Sequence, residues 1–193
     1  MIFRYIRSAI TQAKKFDPSA PSRLTIFLTY PGIHALIYYR ISHFFYQIKW
    51  TGFARFIANI GRFFTQIDIH PGAKIAEGLF IDHGAGTVIG QTAIIDKNVI
   101  LFHGVTLGSK SIHTSGTRHP HLEENVVIYP NSTILGNITI GANTVIGAHS
   151  LVMHDIEKNS VVAGNPLRYL QGNKFIQEGF EQDGVDTPCL PPH

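Results

Sequence analysis

Cysteine is almost missing from this 193-residue chain. Its one representative, Cys189, lies in a Pro-rich tail. That excludes an internal disulfide, points to a reducing compartment such as the cytoplasm, and offers no fixed surroundings for a catalytic thiol. Acid is almost missing from residues 1–66, where nine Lys or Arg stand beside Asp17 alone. A long apolar run is missing too: Leu24 to Ile48 is aromatic and aliphatic, but Pro31-Gly32 and Arg40 interrupt it, which argues against a membrane span of roughly 20 apolar residues. No uninterrupted apolar run and small-residue cleavage site follow the basic N-terminus, so no secretory signal is evident. Net charge is only +3 without clustered basic residues, which permits attraction of an anionic small molecule but does not suggest a nucleic-acid surface. Despite 11 His there is no HExxH or paired-Cys motif, and no metal is expected. His119 and His121 share a face only if their stretch is extended.

What is present is a period of six. Aliphatic residues recur at Ile69, Ile75 and Ile81, at Ile89, Ile95, Leu101 and Leu107, and from Leu122 through Ile128, Ile134, Ile140 and Ile146 to Val152. A fixed hexad is the signature of a parallel β-helix, in which each hexad supplies a short strand and a corner. Three hexads per coil predict about four coils. Gly90, Asn98, Gly136, Asn137, Gly141, Asn143 and Gly147 fall at corners, where positive φ is expected. Two breaks interrupt the period: Asp82-His83-Gly84-Ala85-Gly86, and Ser109 to Pro120. Breaks in a repeat map to loops, often on the binding face.

Residues 1–66 hold fifteen of the 21 aromatic residues and read as a helical domain. Asp17-Pro18 predicts a helix start, Ile33 to Phe44 has helical spacing, and a further helix is expected from Trp50 to Phe64. The apolar surface exceeds what one chain can bury, so it should pack on the β-helix or on another subunit; a basic membrane-surface helix is the competing reading. The expected organisation is a helical domain over 1–66, a β-helix domain over 67–170 and a flexible tail over 171–193.

Within the first break, His83 is a candidate general base, since an imidazole titrates near 6.5. A carboxylate on its far nitrogen would fix the tautomer. On an extended strand Asp82 would point away from His83, whereas Asp68, fifteen residues earlier and slightly under one coil, would stack beneath it. Arg118 offers a planar fork for a carboxylate, and His119 could complete a polar pocket. His103, in a hexad corner, could face a ligand or a neighbouring subunit, and the structural reading is the favoured one. A polar corner for Asp82-His83 and a solvated loop for Arg118-His119 are the bland alternatives.

The segments Asp68-Ile69-His70-Pro71-Gly72-Ala73, Ile81-Asp82-His83-Gly84-Ala85-Gly86, Gly104-Val105-Thr106-Leu107-Gly108 and Arg118-His119-Pro120 resemble the serine O-acetyltransferases of the hexapeptide-repeat acyltransferase superfamily. Phe16-Asp17-Pro18, Gly32-Ile33-His34-Ala35-Leu36 and Arg40-Ile41 extend the likeness over about residues 15–170. The resemblance implies an α+β chain with an N-terminal α-helical segment, a left-handed parallel β-helix of hexapeptide repeats and a protruding loop. It also implies a homotrimer with its active site between subunits, acetyl-CoA as co-substrate, and L-serine converted to O-acetylserine for cysteine biosynthesis. By the same resemblance, His83 is the base and Asp68 its orienter. Asp17 and Asp82 meet the serine amine, and Arg118 and His119 its carboxylate. CoA and the oxyanion involve Gly108, Ser109, Pro130 and Ala148. The chain departs from the family at Ser109 (usually Gly), Tyr129-Pro130 (usually a small pair) and Gln91 (usually Glu), and its loop before Arg118 is about one residue longer. Its short helical part resembles Gram-positive-type forms and favours a trimer over a dimer of trimers. The family's C-terminal isoleucine is replaced by Pro191-Pro192-His193, so no tight cysteine synthase complex is expected. Alternatives are an acetyltransferase for a sugar or another amino acid, a non-enzymatic scaffold, and a zinc hydratase.

Overall fold

Four helices, α1 (Ile2–Phe16), α2 (Arg23–Thr29), α3 (Pro31–Gln47) and α4 (Thr51–Thr65), precede all strands in the computed structural model, which describes residues 2–20, 22–111, 116–165 and 168–169. The helix start expected at Asp17-Pro18 is not found. α1 ends at Phe16, and the Ala20 N–H closes a turn on the Asp17 carbonyl at 3.0 Å. Proline disfavours helical backbone in the residue before it, so Asp17 ends one helix instead of opening the next. Ser22 caps α2, its hydroxyl accepting from the Thr25 N–H at 3.2 Å.

α3 is the element that fixes the helices to the coil. Arg40, which interrupts the apolar run in the sequence, points inward. It donates to the Ile75 and Ala76 carbonyls at 2.7 and 3.1 Å, and its guanidinium lies 3.6 Å from the centre of the Tyr5 ring. Tyr39 donates to the Ala73 carbonyl at 2.7 Å, and His43 Nδ1 meets the Pro71 carbonyl at 2.7 Å. A Cβ on Gly32 would stand 2.3 Å from the Ile81 carbonyl oxygen, so only glycine permits this approach. No described helix is long and apolar enough to cross a membrane.

Thirteen strands of two or three residues follow, one on each aliphatic position predicted from Ile69 to Val152. They stack in parallel into three faces. The first carries Ile69, Ile89, Leu107, Ile134 and Val152; the second Ile75, Ile95, Leu122 and Ile140; the third Ile81, Leu101, Ile128 and Ile146. Val161–Ala163 extends the third face, and Arg168–Tyr169 adds an antiparallel strand. None of the thirteen aliphatic side chains is more than 5% exposed, so the period of six is the period of the core.

The breaks appear as unequal coils. Ile69 pairs with Ile89, a step of 20 residues, and Ile89 with Leu107, a step of 18. Leu107 pairs with Ile134, a step of 27, which absorbs the second break; residues 112–115 of that loop lie outside the described residues, as does the expected tail with Cys189. Asn98, Gly136 and Asn143 take positive φ as expected, whereas Gly90, Gly141 and Gly147 do not. These three are small because the next layer leaves no room: a Cβ would lie 1.9, 2.4 and 2.7 Å from His119, Lys158 and Ala163 atoms. Asn137 is exposed and takes no positive φ.

Candidate active site

Two edges of the prism carry the predicted chemistry. At the edge between the third and first faces, the first break adds two residues to a hexad, and the surplus pushes His83 out of the stack. Its backbone has φ 57, a conformation uncommon outside glycine and asparagine, and its side chain is 78% exposed. Positive φ cancels the strand alternation that would have sent Asp82 and His83 to opposite sides. Asp82 Oδ2 lies 3.9 Å from His83 Nε2.

Asp17 belongs to the same edge. Ser19 donates to Asp17 Oδ1 from its N–H at 2.8 Å and its hydroxyl at 2.6 Å, and the Tyr30 hydroxyl donates to Oδ2. The hydrogen bonds from Ser19 and Tyr30, with a smaller contribution from His83, hold the Asp17 carboxyl below the usual range. Burial pushes Asp82 up, with Asp17 adding to the rise and His83 opposing it. Two carboxylates at one edge, with Asp17 making Asp82 harder to ionise, make a place for a cation.

Asp68 does not stack beneath His83. With a first coil of 20 residues, Asp68 pairs in register with Val88, and its carboxylate meets Arg62 of α4 at 3.3 Å. It lines an open groove of 570 Å³ with Arg62, Phe63, Gly86, Thr87 and Val88, bordering the His83 loop. The residue one coil above His83 is His103, the two rings lying edge to face with centres 6.1 Å apart. Nδ1 of His103 is buried with no hydrogen-bond partner among the described residues. Of the two readings open for His103 in the sequence, the position beside His83, a step of 20 residues away, favours the outward-facing one. Tyr30 had no signal at all. Higher on this edge, Pro130 and Ala148 occupy successive coils, the His149 N–H bonding to the Pro130 carbonyl at 2.9 Å.

Arg118 and His119 stand at the next edge, between the first and second faces, with Gly108 and Ser109. The stretch from Thr87 to Gly90, with the strand Val88–Ile89 at its centre, spans three residue steps and puts about 10 Å between the two edges. His119 is nine-tenths buried and fills the space left by Gly90. Its Nδ1 accepts from the Thr92 N–H at 3.2 Å, which assigns the proton of the neutral ring to Nε2. Burial and then Arg118 push its pKa down. Thr92 Oγ1 accepts the N–H groups of both Arg118 and His119, at 3.0 and 3.1 Å, and Arg118 Nη2 donates to Gln91 Oε1 at 3.2 Å. Neither Thr92 nor Gln91 was read as a site residue, because their contacts cross 26 or 27 residues. His121 turns away from His119 to Asp96, at 3.0 Å, so the two do not form a ligand pair. Among the described residues no group of three His, Cys, Asp or Glu gathers as a metal site.

Comparison with known proteins agrees with this architecture. The bacterial transferase hexapeptide (six repeats) family matches residues 119–154. A serine acetyltransferase of Bacillus licheniformis is 42% identical over 189 residues, which cover 97% of this chain and 87% of that protein. The crystal structure of Neisseria gonorrhoeae serine acetyltransferase in complex with serine matches with a TM-score of 0.84 at 34% identity, covering 88% of this chain and 69% of that one. For Brucella abortus serine acetyltransferase in complex with coenzyme A, the TM-score is 0.83 at 36% identity, covering 86% of this chain and 66% of that one. The coil is the left-handed β-helix of such structures. At this identity over nearly its whole length, the chain belongs to the serine acetyltransferase family.

Proposed function

We propose that this protein transfers the acetyl group of acetyl-CoA to the hydroxyl of L-serine. The observation that carries the reading is the separation of charge: carboxylates and a base at one edge, a guanidinium and an imidazole at the next. Serine presents an ammonium and a carboxylate on either side of its hydroxyl-bearing carbon. Asp17 and Asp82 receive the ammonium, which relieves their mutual repulsion, and Arg118 and His119 receive the carboxylate.

His83 takes the serine hydroxyl proton as the oxygen attacks the thioester carbonyl. The developing oxyanion is met by backbone N–H groups around Gly108-Ser109. Collapse of the tetrahedral species breaks the carbon–sulfur bond, and His83 returns the proton to the departing thiolate. Asp82, already 3.9 Å from the ring, stabilises the imidazolium; Asp68, paired with Arg62 in the free chain, is the second carboxylate able to take that role. CoA lies along the coils by Pro130 and Ala148.

Because the two edges lie on opposite sides of one face, a complete site takes His83 from one subunit and Arg118 from the next. A homotrimer supplies three such clefts. The exposed rings of Trp50, Phe56, Phe63 and Phe64 on and before α4, each 60% exposed or more in the single chain, support association. The product, O-acetylserine, feeds cysteine biosynthesis in the cytoplasm.

The test is release of CoA from acetyl-CoA with L-serine, L-threonine, L-homoserine and simple sugars as acceptors. Serine should exceed the others in kcat/KM. Preference for a sugar or another amino acid would overturn the assignment.

A further inference from the structure

Each oxygen of an ionised carboxylate offers two lone pairs. On Asp17 both pairs of Oδ1 are taken, by the Ser19 N–H at 2.8 Å and the Ser19 hydroxyl at 2.6 Å. Oδ2 accepts one bond, from the Tyr30 hydroxyl, and keeps one pair open. The carboxylate is only partly covered, and its charge is felt by Asp82 at the same edge.

The two donors are held in different ways. Ser19 is two residues from Asp17, and its bonds shape the turn that follows α1. Tyr30 is 13 residues away and belongs to another element. It is the N-cap residue of α3, with Pro31 opening the helix. Gly32 then meets the Ile81 carbonyl so closely that a Cβ would stand 2.3 Å from its oxygen. Tyr30 is therefore seated by the same contact that seats Ile81, the residue before Asp82. The remaining hydrogen bonds of Asp17 run to Ala13 and Ala20 in its own stretch. The Tyr30 bond is what ties the carboxylate to α3, and through α3 to the β-helix. Burial, then the bond to Asp17, push the Tyr30 hydroxyl up to about 12, so it remains a donor at neutral pH.

We propose that Ser19 and Tyr30 are positioning residues for the acceptor's ammonium: they fill three of the four lone pairs of Asp17 and leave one, on Oδ2, as its seat. The inference rests on the reading of Asp17 as the ammonium-binding residue. It makes the aim of that carboxylate, and not only its charge, a determinant of acceptor affinity. A carboxylate free to turn would keep its attraction for a cation but lose rotamer freedom on binding it.

Tyr30→Phe keeps the ring and removes only the donor. In steady-state kinetics on the full chain it should raise the serine KM about tenfold, the loss expected for one hydrogen bond to a charged group. The acetyl-CoA KM should stay unchanged. A second acceptor analogue separates aim from general loosening. β-Hydroxypropionate has the hydroxyl and carboxylate of serine but no ammonium, so its Ki against serine should be the same in Tyr30→Phe as in the unaltered protein. Ser19→Ala, which leaves the N–H in place, should show the same pattern with a smaller rise, and takes the place of Tyr30→Phe if that variant fails to fold.

Asp17→Asn distinguishes the two claims. A raised serine KM in Asp17→Asn with a normal one in Tyr30→Phe (or in Ser19→Ala, where that variant is used) overturns the positioning role. Equal weakening of serine and β-hydroxypropionate overturns it too, because the donors would then only support the fold. A normal serine KM in Asp17→Asn removes the ammonium reading of Asp17 itself, and this inference with it.

Discussion

His83 is held in a backbone conformation with φ 57, at a cost that folded chains retain mainly where the surroundings or the function demand it. The gain is reach, because the ring leaves the stack and comes under the influence of Asp82. His83→Ala should lower turnover by about 10²–10⁴, the range for loss of a general base; near-normal turnover in the purified variant would remove His83 from the mechanism. Asp82→Asn and Asp68→Asn then distinguish the two carboxylates, and the larger loss of kcat identifies the one that stabilises the imidazolium.

His70 gives a prediction of a different kind. Its Nδ1 accepts from the Gly72 N–H at 2.9 Å and Arg55 faces Nε2 at 3.3 Å, so a second ring proton would meet an N–H donor. Burial, then Arg55, push its pKa from 6.5 down to about 4. Above pH 6.5 the ring is neutral in both folded and unfolded chains. Between 6.5 and about 4 only the unfolded chain takes the proton, so stability declines as pH falls through that window. His70→Asn, whose amide oxygen can replace Nδ1 as acceptor, should show a shallower fall of Tm between pH 6.5 and 4.

At the scale of elements, the corners carry two kinds of small residue for two reasons. Asn98, Asn125, Asn143 and Asn159 have φ between 58 and 60 and link their side-chain amides up one edge at 3.4, 3.0 and 3.0 Å. Gly90 has ordinary backbone and is glycine because His119 lies where its Cβ would be. Gly90→Ala should therefore displace His119 and cost about 1–3 kcal/mol, as overpacking does. Urea melts would read the loss, accompanied by a higher serine KM. An unchanged midpoint would mean that the corner yields freely.

For the whole molecule, the proposal that His83 and Arg118 act together across two separated edges makes activity depend on assembly. His83→Ala and Arg118→Ala should each be nearly inactive alone. Mixed by co-expression, they should recover about a quarter of wild-type activity, because at random one cleft in four pairs an intact His83 with an intact Arg118 across a cyclic interface. Absence of recovery in assemblies shown by mass to be mixed would place both residues in one subunit's site. Light scattering that finds an active monomer at assay concentration would contradict the same premise.

The sequence by itself determined the coil. The thirteen aliphatic positions from Ile69 to Val152 are the core because a period of six returns every sixth side chain to the interior, a local and additive rule. It also marked Asp82-His83 and Arg118-His119, since each stands where the period fails. The orientation of those groups depended on tertiary structure. Asp82 reaches His83 through a positive φ that alternation did not foresee. Asp68 falls beneath Val88 because two inserted residues lengthen its coil to 20, and Asp17 becomes a turn residue bound by Ser19 and Tyr30. His103, Thr92 and Gln91 join the site through contacts that cross 20 or more residues. Periodicity fixes which residues point inward. Which outward-facing groups meet depends on the summed lengths of the coils between them.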